Sequence, residues 1–272
     1  MDEFTLEAPD HAYMFAFLQA DGHHSASDRN RGRVSVEVSA RDAPILEAFQ
    51  RICPHNSSIK YRTRATNFAA EHASAAWSVH ALEFREQLLD LGLPIGRKSD
   101  SVTPPTVPFS TRDYVRGLVD ADGSVGRTGA GLPFVSLTTK SEPIKRFFCD
   151  YAQQVTGTHR TVNRNARDDI YNILYTCEDA VALARDLYYP GALALPRKLS
   201  AAAHAAAWIR PADRPKIHQR RWTAHELDVL RACPSAEAAA AELGRTVQSC
   251  AMRRWRMFGP QRVRTRIPHA RA

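Results

Sequence analysis

Apolar and polar positions along this chain follow two rhythms, and the rhythms recur in the same order. A nearly unbroken apolar run, Tyr13-Met14-Phe15-Ala16-Phe17-Leu18, predicts a helix over residues 10–21. Val34, Val36 and Val38 then alternate with Arg33, Ser35, Glu37 and Ser39, the period of a strand with one buried face. This predicts two strands between residues 22 and 39, joined by a turn at Arg29-Asn30-Arg31-Gly32. A helix over residues 42–52, with Asp42 as its N-cap, stops at Pro54-His55-Asn56-Ser57. Strands at 58–64 and 73–79 and a helix at 82–91 complete the first pass. The second pass predicts a helix at 112–121, then two strands around a Gly129-Ala130-Gly131 turn. In the later of these, Pro133, Val135, Leu137 and Thr139 alternate with Phe134, Ser136, Thr138 and Lys140. A helix at 142–155, strands at 158–165 and 170–177, and a helix at 178–187 follow.

Each opening helix ends in Ala-Asp-Gly, and each pass ends in an Arg-Lys pair, Arg97-Lys98 and Arg197-Lys198. Asp21 and Asp122 lie 101 positions apart; Asp21 to Lys98 is 77 positions and Asp122 to Lys198 is 76. Matching offsets of separate features indicate an internal duplication. The expected units are a first repeat over 1–105, a second over 106–209, a linker over 210–220 and a C-terminal module over 221–272. A carboxylate ending an apolar helix lies at the negative end of the helix dipole, and burying it requires a partner. A metal ion meets both needs.

Gly117-Leu118-Val119-Asp120-Ala121-Asp122-Gly123 resembles the last seven positions of the LAGLIDADG motif, with one conservative change. The upstream copy departs at two positions, where Ala16 replaces the first glycine and Gln19 the first acid. The resemblance is to single-chain, two-motif LAGLIDADG homing endonucleases. It implies an α+β fold, a duplicated αββαββα domain with pseudo-twofold symmetry and saddle-shaped antiparallel sheets. The two motif helices would pack side by side, and Asp21 and Asp122 would bind Mg²⁺, with Ala20 and Ala121 beside them in the metal set and Mn²⁺ or Ca²⁺ as substitutes. Such a monomer would cut both strands of a long DNA duplex. The resemblance also places a lysine near each scissile phosphate, which Lys98 and Lys198 match; a plain grip on phosphate is the alternative. Two other functions share this layout: a non-cleaving transcription regulator joining such a domain to a helix-turn-helix, and an intron RNA maturase. The motif starts close to the N-terminus, so no flanking splicing sequence is evident.

Charge sharpens the choice of partner. The net charge is +8 overall. Residues 214–272 hold 13 Lys/Arg and 4 Asp/Glu, net +9, which leaves the rest of the chain at −1. A basic end of this kind fits a polyanion. Lys60, Arg62 and Arg64 share one face of a predicted strand, where they would meet phosphates or guanine edges or protect an exposed edge. Arg160 and Arg164 would echo them in the second half. The expected duplex contacts are Arg29, Arg31, Arg33, Lys60, Arg62, Arg64, Arg127, Lys140, Arg160 and Arg164. From Trp222 the chain resembles a Myb/SANT-type helix-turn-helix of three helices. Thr223 and Glu226 form a capping box, and the core would be Trp222, Leu227, Leu230, Ala239, Leu243, Val247, Cys250 and Trp255. Arg245, Gln248, Ser249, Arg253, Arg254 and Arg256 are its expected DNA contacts. No apolar run approaches the roughly 20 residues of a membrane span, and the acidic N-terminus does not read as a signal peptide. Five scattered cysteines without a C-x-x-C pair suggest neither disulfides nor zinc. A reducing cytoplasm is therefore expected.

Overall fold

The computed structural model describes residues 3–25, 29–66, 69–214 and 222–259. They fall into two compact units, residues 1–212 and 213–272. Among the described residues no helix is long and apolar enough to cross a membrane.

The first unit is built around a helix pair. Helix α1 (Pro9–Asp21) begins with proline at its first turn and buries every residue from Ala12 to Gln19. Helix α4 (Thr111–Asp122) buries every residue from Asp113 to Asp120. A helix apolar around its whole circumference is an interior helix, and these two pack on each other. Close approach depends on Gly117. A Cβ there would collide with the Tyr13 carbonyl oxygen and lie 2.7 Å from the Ala16 Cβ. Ala16 is tolerated because Gly117 faces it; only one of the facing positions has to be glycine.

Each motif helix turns straight into a sheet. Strands β1 (His23–Ser25), β2 (Arg33–Ser39), β3 (Ser57–Thr66) and β4 (Ala69–Val79) form an antiparallel sheet in the order β1-β2-β4-β3. Trp77 pairs with Val36 on one side and Ile59 on the other, so the valines of β2 face the core with it. Strands β5 (Gly123–Arg127), β6 (Pro133–Thr139) and β7 (Tyr171–Thr176) form a second antiparallel sheet in that order. Helices α2 (Ala43–Ile52), α3 (Leu82–Asp90), α5 (Glu142–Thr156) and α6 (Glu178–Leu187) complete the layers, and the core is continuous from Phe49, Trp77 and Phe84 to Val135, Phe148 and Tyr175.

Three expectations need correction. Residues 158–165 are not a strand, so the second sheet has three strands among the described residues and the second half reads αββαβα. The side chains of this segment have local partners instead. Arg160 lies over the Tyr175 ring at 4.9 Å, and Thr158 donates to Asp179 at 3.1 Å. Arg164 pairs with Asp169 at 2.8 Å and lies over Tyr171. Asp42 flanks α2 without capping it, because its carboxylate is held by Arg197 at 3.0 Å. Finally, a helix not foreseen, α7 (Pro196–Ala206), follows the second Arg-Lys pair, with Pro196 at its first turn.

The second unit contains α8 (Ala224–Ala232), α9 (Ala236–Leu243) and α10 (Val247–Phe258). Each start is fixed by a side-chain cap: the Thr223–Glu226 capping box, Ser235 accepting from the Ala238 amide and Thr246 from the Ser249 amide. Leu230, Cys233, Ala239, Ala240 and Cys250 form the small core, with Trp222 and Leu243 against it. Val247 and Trp255, expected in that core, are 45% and 56% exposed. Helix α10 turns its Cys250 and Arg254 side inward; Trp255 lies about 100° round from Arg254, and Val247, on the inward stripe, is the first residue of the helix and stands outside the core. Residues 215–220 of the expected linker, Arg221 of the expected module and the basic tail over 260–272 lie outside the described residues.

Candidate active site and nucleic-acid face

The two motif helices end side by side, and their last residues meet. The carboxyls of Asp21 and Asp122 lie close enough that each influences the titration of the other. Both side chains reach solvent, yet the surrounding protein raises both pKa values by desolvation. The like charge of Asp21 adds to the rise at Asp122, which reaches about 6, while Lys98 and Lys198 oppose it. Two carboxylates drawn together at one spot offer oxygens that a divalent cation can bind. The glycine after each acid permits this geometry: a Cβ on Gly123 would collide with carbonyl oxygens of Ser136 and Val119.

Lys98 and Lys198 are bonded to the ends of the motif helices. Lys98 Nζ donates to the Ala20 carbonyl. Lys198 Nζ donates to three carbonyls, Val119 at 2.7 Å, Asp120 at 2.6 Å and Gly123 at 2.8 Å. Each ammonium thus satisfies carbonyls that a helix C-terminus leaves without partners and places positive charge at the negative end of its dipole. Desolvation lowers both lysines, Lys198 to about 8. Ala20 offers a carbonyl already engaged by Lys98, and Ala121 packs partly buried against the core. Cavities flank the acids. One of about 240 Å³ adjoins Asp21, Glu37, Asp42 and Arg197, and one of about 60 Å³ adjoins Asp122, Ala20 and Lys140.

Sequence reasoning missed the brace behind the acids. Asp120 is fully buried and accepts from Tyr13 at 2.7 Å, Tyr188 at 2.6 Å and the Leu195 amide at 2.7 Å. Gln19 stands in the matching place on α1. It accepts from Tyr114 and donates to the Gly92 and Thr103 carbonyls at 2.7 and 3.2 Å. Its loop partners are acceptors where the Asp120 loop partner is a donor, so an amide fits and a carboxylate would not. A signal was available: Tyr13 and Tyr114 each lie eight residues before the terminal acid.

The cations expected on DNA separate into two groups. Arg29, Arg31, Arg33, Lys60 and Arg62 are exposed, with no ion-pair partner among the described residues. Arg64 reaches Glu37 at 3.2 Å, at an exposed pair. In the second half, Arg127 donates to the His204 carbonyl at 2.8 Å and Lys140 pairs with Asp100 at 3.4 Å. Arg160 and Arg164 are held as described above, off any strand face.

Residues 110–188 match the family model of the LAGLIDADG-like domain. The wider chain is similar in fold to the homing endonuclease I-WcaI bound to its DNA recognition sequence. Identity is 11%, 73% of this chain and 87% of that chain are covered, and the TM-score is 0.53. Lower scores are obtained against mesophilic variants of the homing endonuclease I-DmoI (13% identity, 72% and 97% covered, TM-score 0.47). They are obtained also against the N-terminal LAGLIDADG domain of DUF199/WhiA (9%, 69% and 85%, 0.45). No curated protein matches the chain.

Where the two motif helices end, the donor chemistry fits a hard divalent cation: carboxylate oxygens at a solvent-accessible spot. Among the described residues no cluster of three or more His, Cys, Asp or Glu could serve instead. Two expected DNA contacts of the second unit take structural places. Arg245 pairs with the buried Glu226 at 2.9 Å and lies over the Trp222 ring at 4.0 Å. Arg254 is buried and donates to the Leu230 and Cys233 carbonyls at 2.9 and 2.6 Å. Gln248 and Arg256 are exposed, and Ser249 and Arg253 are half-buried.

Proposed function

We propose that this chain is a metal-dependent DNA endonuclease of the homing type, acting as a monomer whose two halves supply one acid each. The observation carrying this reading is the contact between Asp21 and Asp122 at the ends of two packed helices, with a lysine beside each. Asp21 and Asp122 would hold the cation, Mg²⁺ with Mn²⁺ or Ca²⁺ as substitutes. When bound, it supplies Lewis-acid stabilisation of charge developing on the phosphate and a nucleophilic water at neutral pH. Asp122, raised to about 6, is mostly ionised at neutral pH and so able to take a cation. Lys98, with one helix carbonyl as its hydrogen-bond partner, keeps N–H groups to offer a phosphate oxygen. Asp120 and Gln19 hold the helix ends in register and touch no substrate. The exposed cations of the first sheet would lie on the duplex. The three-helix unit would add a separate contact through Gln248, Ser249, Arg253 and Arg256, raising affinity by effective concentration.

A non-cutting regulator is the second reading. It is favoured by one observation, that both lysines already bond helix carbonyls. The DNA flanking the gene, joined as if the gene were absent, distinguishes the two. The endonuclease cuts both strands with Mg²⁺, not with EDTA, and Asp122→Asn abolishes the cut. Specific, salt-sensitive binding without any cut, unchanged in Asp122→Asn, would establish the regulator.

A further inference from the structure

The two sheets flank the acid pair alike, since β1 starts two residues after Asp21 and β5 directly after Asp122. Their solvent faces differ in chemistry. Strand alternation and register put Arg33, Glu37, Lys60, Arg62 and Arg64 on the solvent face of the first sheet, opposite Val34, Val36 and Trp77. That face has four cations against one acid. The same parity in the second sheet gives Phe134, Ser136, Thr138, Asn172, Leu174 and Thr176, opposite Val135, Leu137, Ile173 and Tyr175. No residue of that face is charged, Leu174 is 46% exposed, and Thr138 donates to Asn172 at 3.2 Å. Lys140, just beyond β6, is held by Asp100.

On the DNA-binding reading above, we infer that the two halves recognise half-sites of opposite base composition: the first sheet a G·C-rich half-site, the second an A·T-rich one. Arg and Lys suit the two major-groove acceptors of guanine, Asn suits the acceptor and donor of adenine, and Thr methyl, Phe and Leu suit the thymine methyl. The neutral face has no cation for guanine, and the cationic face has little apolar surface for thymine. The two faces should also divide the binding energy unequally. Counterion release follows the phosphates neutralised, so the first sheet carries most of the salt dependence and the second contributes sequence reading with little of it.

The test is selection of duplexes from a random library by the full chain in EDTA, so that binding is read without cutting. The expected result is an enriched site with one G·C-rich and one A·T-rich half. Arg62→Gln should relax selection in the G·C half alone, with roughly ten- to a hundredfold lost discrimination at one position. Loss of a phosphate contact on the same sheet would instead lower the slope of log affinity against log salt by about 0.9. Asn172→Ala should relax the A·T half alone and leave that slope unchanged. Both side chains are exposed, and melting curves matching wild type will show that the variants fold. Enriched halves of like composition, or both variants relaxing the same half, would overturn the inference. Enrichment of no sequence at all would instead overturn the DNA-binding reading on which it rests.

Discussion

Replacing Asp122 by asparagine should make the metal-free protein more stable. Asp122 is raised from 3.8 to about 6 by desolvation and by the charge of Asp21. A shift of that size is worth at most ~3 kcal/mol, and the exposure of both carboxylates to solvent screens it to about 1 kcal/mol. The sign follows from linkage. The folded-state pKa lies above the unfolded one, so between pH 3.8 and about 6 the folded chain binds more protons. Stability from this pair is present at low pH and is lost as pH rises through about 6. At neutral pH the penalty is in full force, and asparagine removes it while keeping the shape. In EDTA at neutral pH, Asp122→Asn should therefore raise Tm by roughly 2–4 °C, the size expected for a unit of this length. The gain should shrink towards pH ~4. Mg²⁺ should reverse the order. At a hundredfold excess over Kd it stabilises a protein that binds it by about 2.7 kcal/mol, and the variant loses that term. Scanning calorimetry of the full chain with EDTA and with Mg²⁺, across this pH range, checks both parts. A lower Tm for the variant in EDTA, with the Mg²⁺ effect intact, would refute the reasoning.

Three further outcomes follow from the same geometry. Gly117→Ala inserts a methyl between α4 and the Tyr13 carbonyl and Ala16 of α1, and should cost about 1–3 kcal/mol by overpacking; an unchanged thermal melt would contradict it. Lys198→Met removes the donor from three carbonyls at one buried ammonium, and should cost about 3 kcal/mol. Lys98→Met removes one such bond and should lower Tm much less; equal losses would show that the two lysines do the same structural work. Arg245→Ala leaves Glu226 buried without its guanidinium and should cost about 3–5 kcal/mol, confined to the second unit. Hydrogen exchange of residues 222–259 should rise while that of α1 and α4 stays as in wild type.

The elements that packing alone decides were legible in the chain. The valine alternation of β2 and the apolar run of α1 each specify one buried face or an interior helix, and both formed as read. The Thr223–Glu226 capping box also formed, because both halves of it are local. What escaped were interactions set by distant residues. Asp42 has the right type and place for an N-cap, but Arg197, 155 positions away, takes its carboxylate. Residues 158–165 space Arg160 and Arg164 as one strand face would, yet two aromatic rings and two acids offer these arginines better partners than an empty edge does. Arg245, in the turn before α10, and Arg254, on that basic helix, look like groove contacts. A small core with few large apolar side chains instead recruits them, since a guanidinium can bridge several carbonyls or hold a buried carboxylate. In the second half and in the three-helix unit, several of the expected cations therefore already have protein partners.

The acids of the motif helices separate by what they do for the fold. Asp120 is saturated by two tyrosine hydroxyls and an amide, and Gln19 replaces its counterpart with full satisfaction of the amide. These positions can vary whenever the loop partner changes from donor to acceptor. Asp21 and Asp122 have no such set of hydrogen-bond donors. Desolvation raises both, the like charge of Asp21 adds to the rise at Asp122, and the charges of Lys98 and Lys198 offset only part of it. A neutral pair at those two positions would relieve the repulsion without disturbing the brace behind it. A fold kept only as a scaffold for binding DNA has no use for the repulsion, whereas a cation site requires it. The unfavourable pair, more than the helix pair that carries it, is what supports the hydrolytic reading over the purely regulatory one.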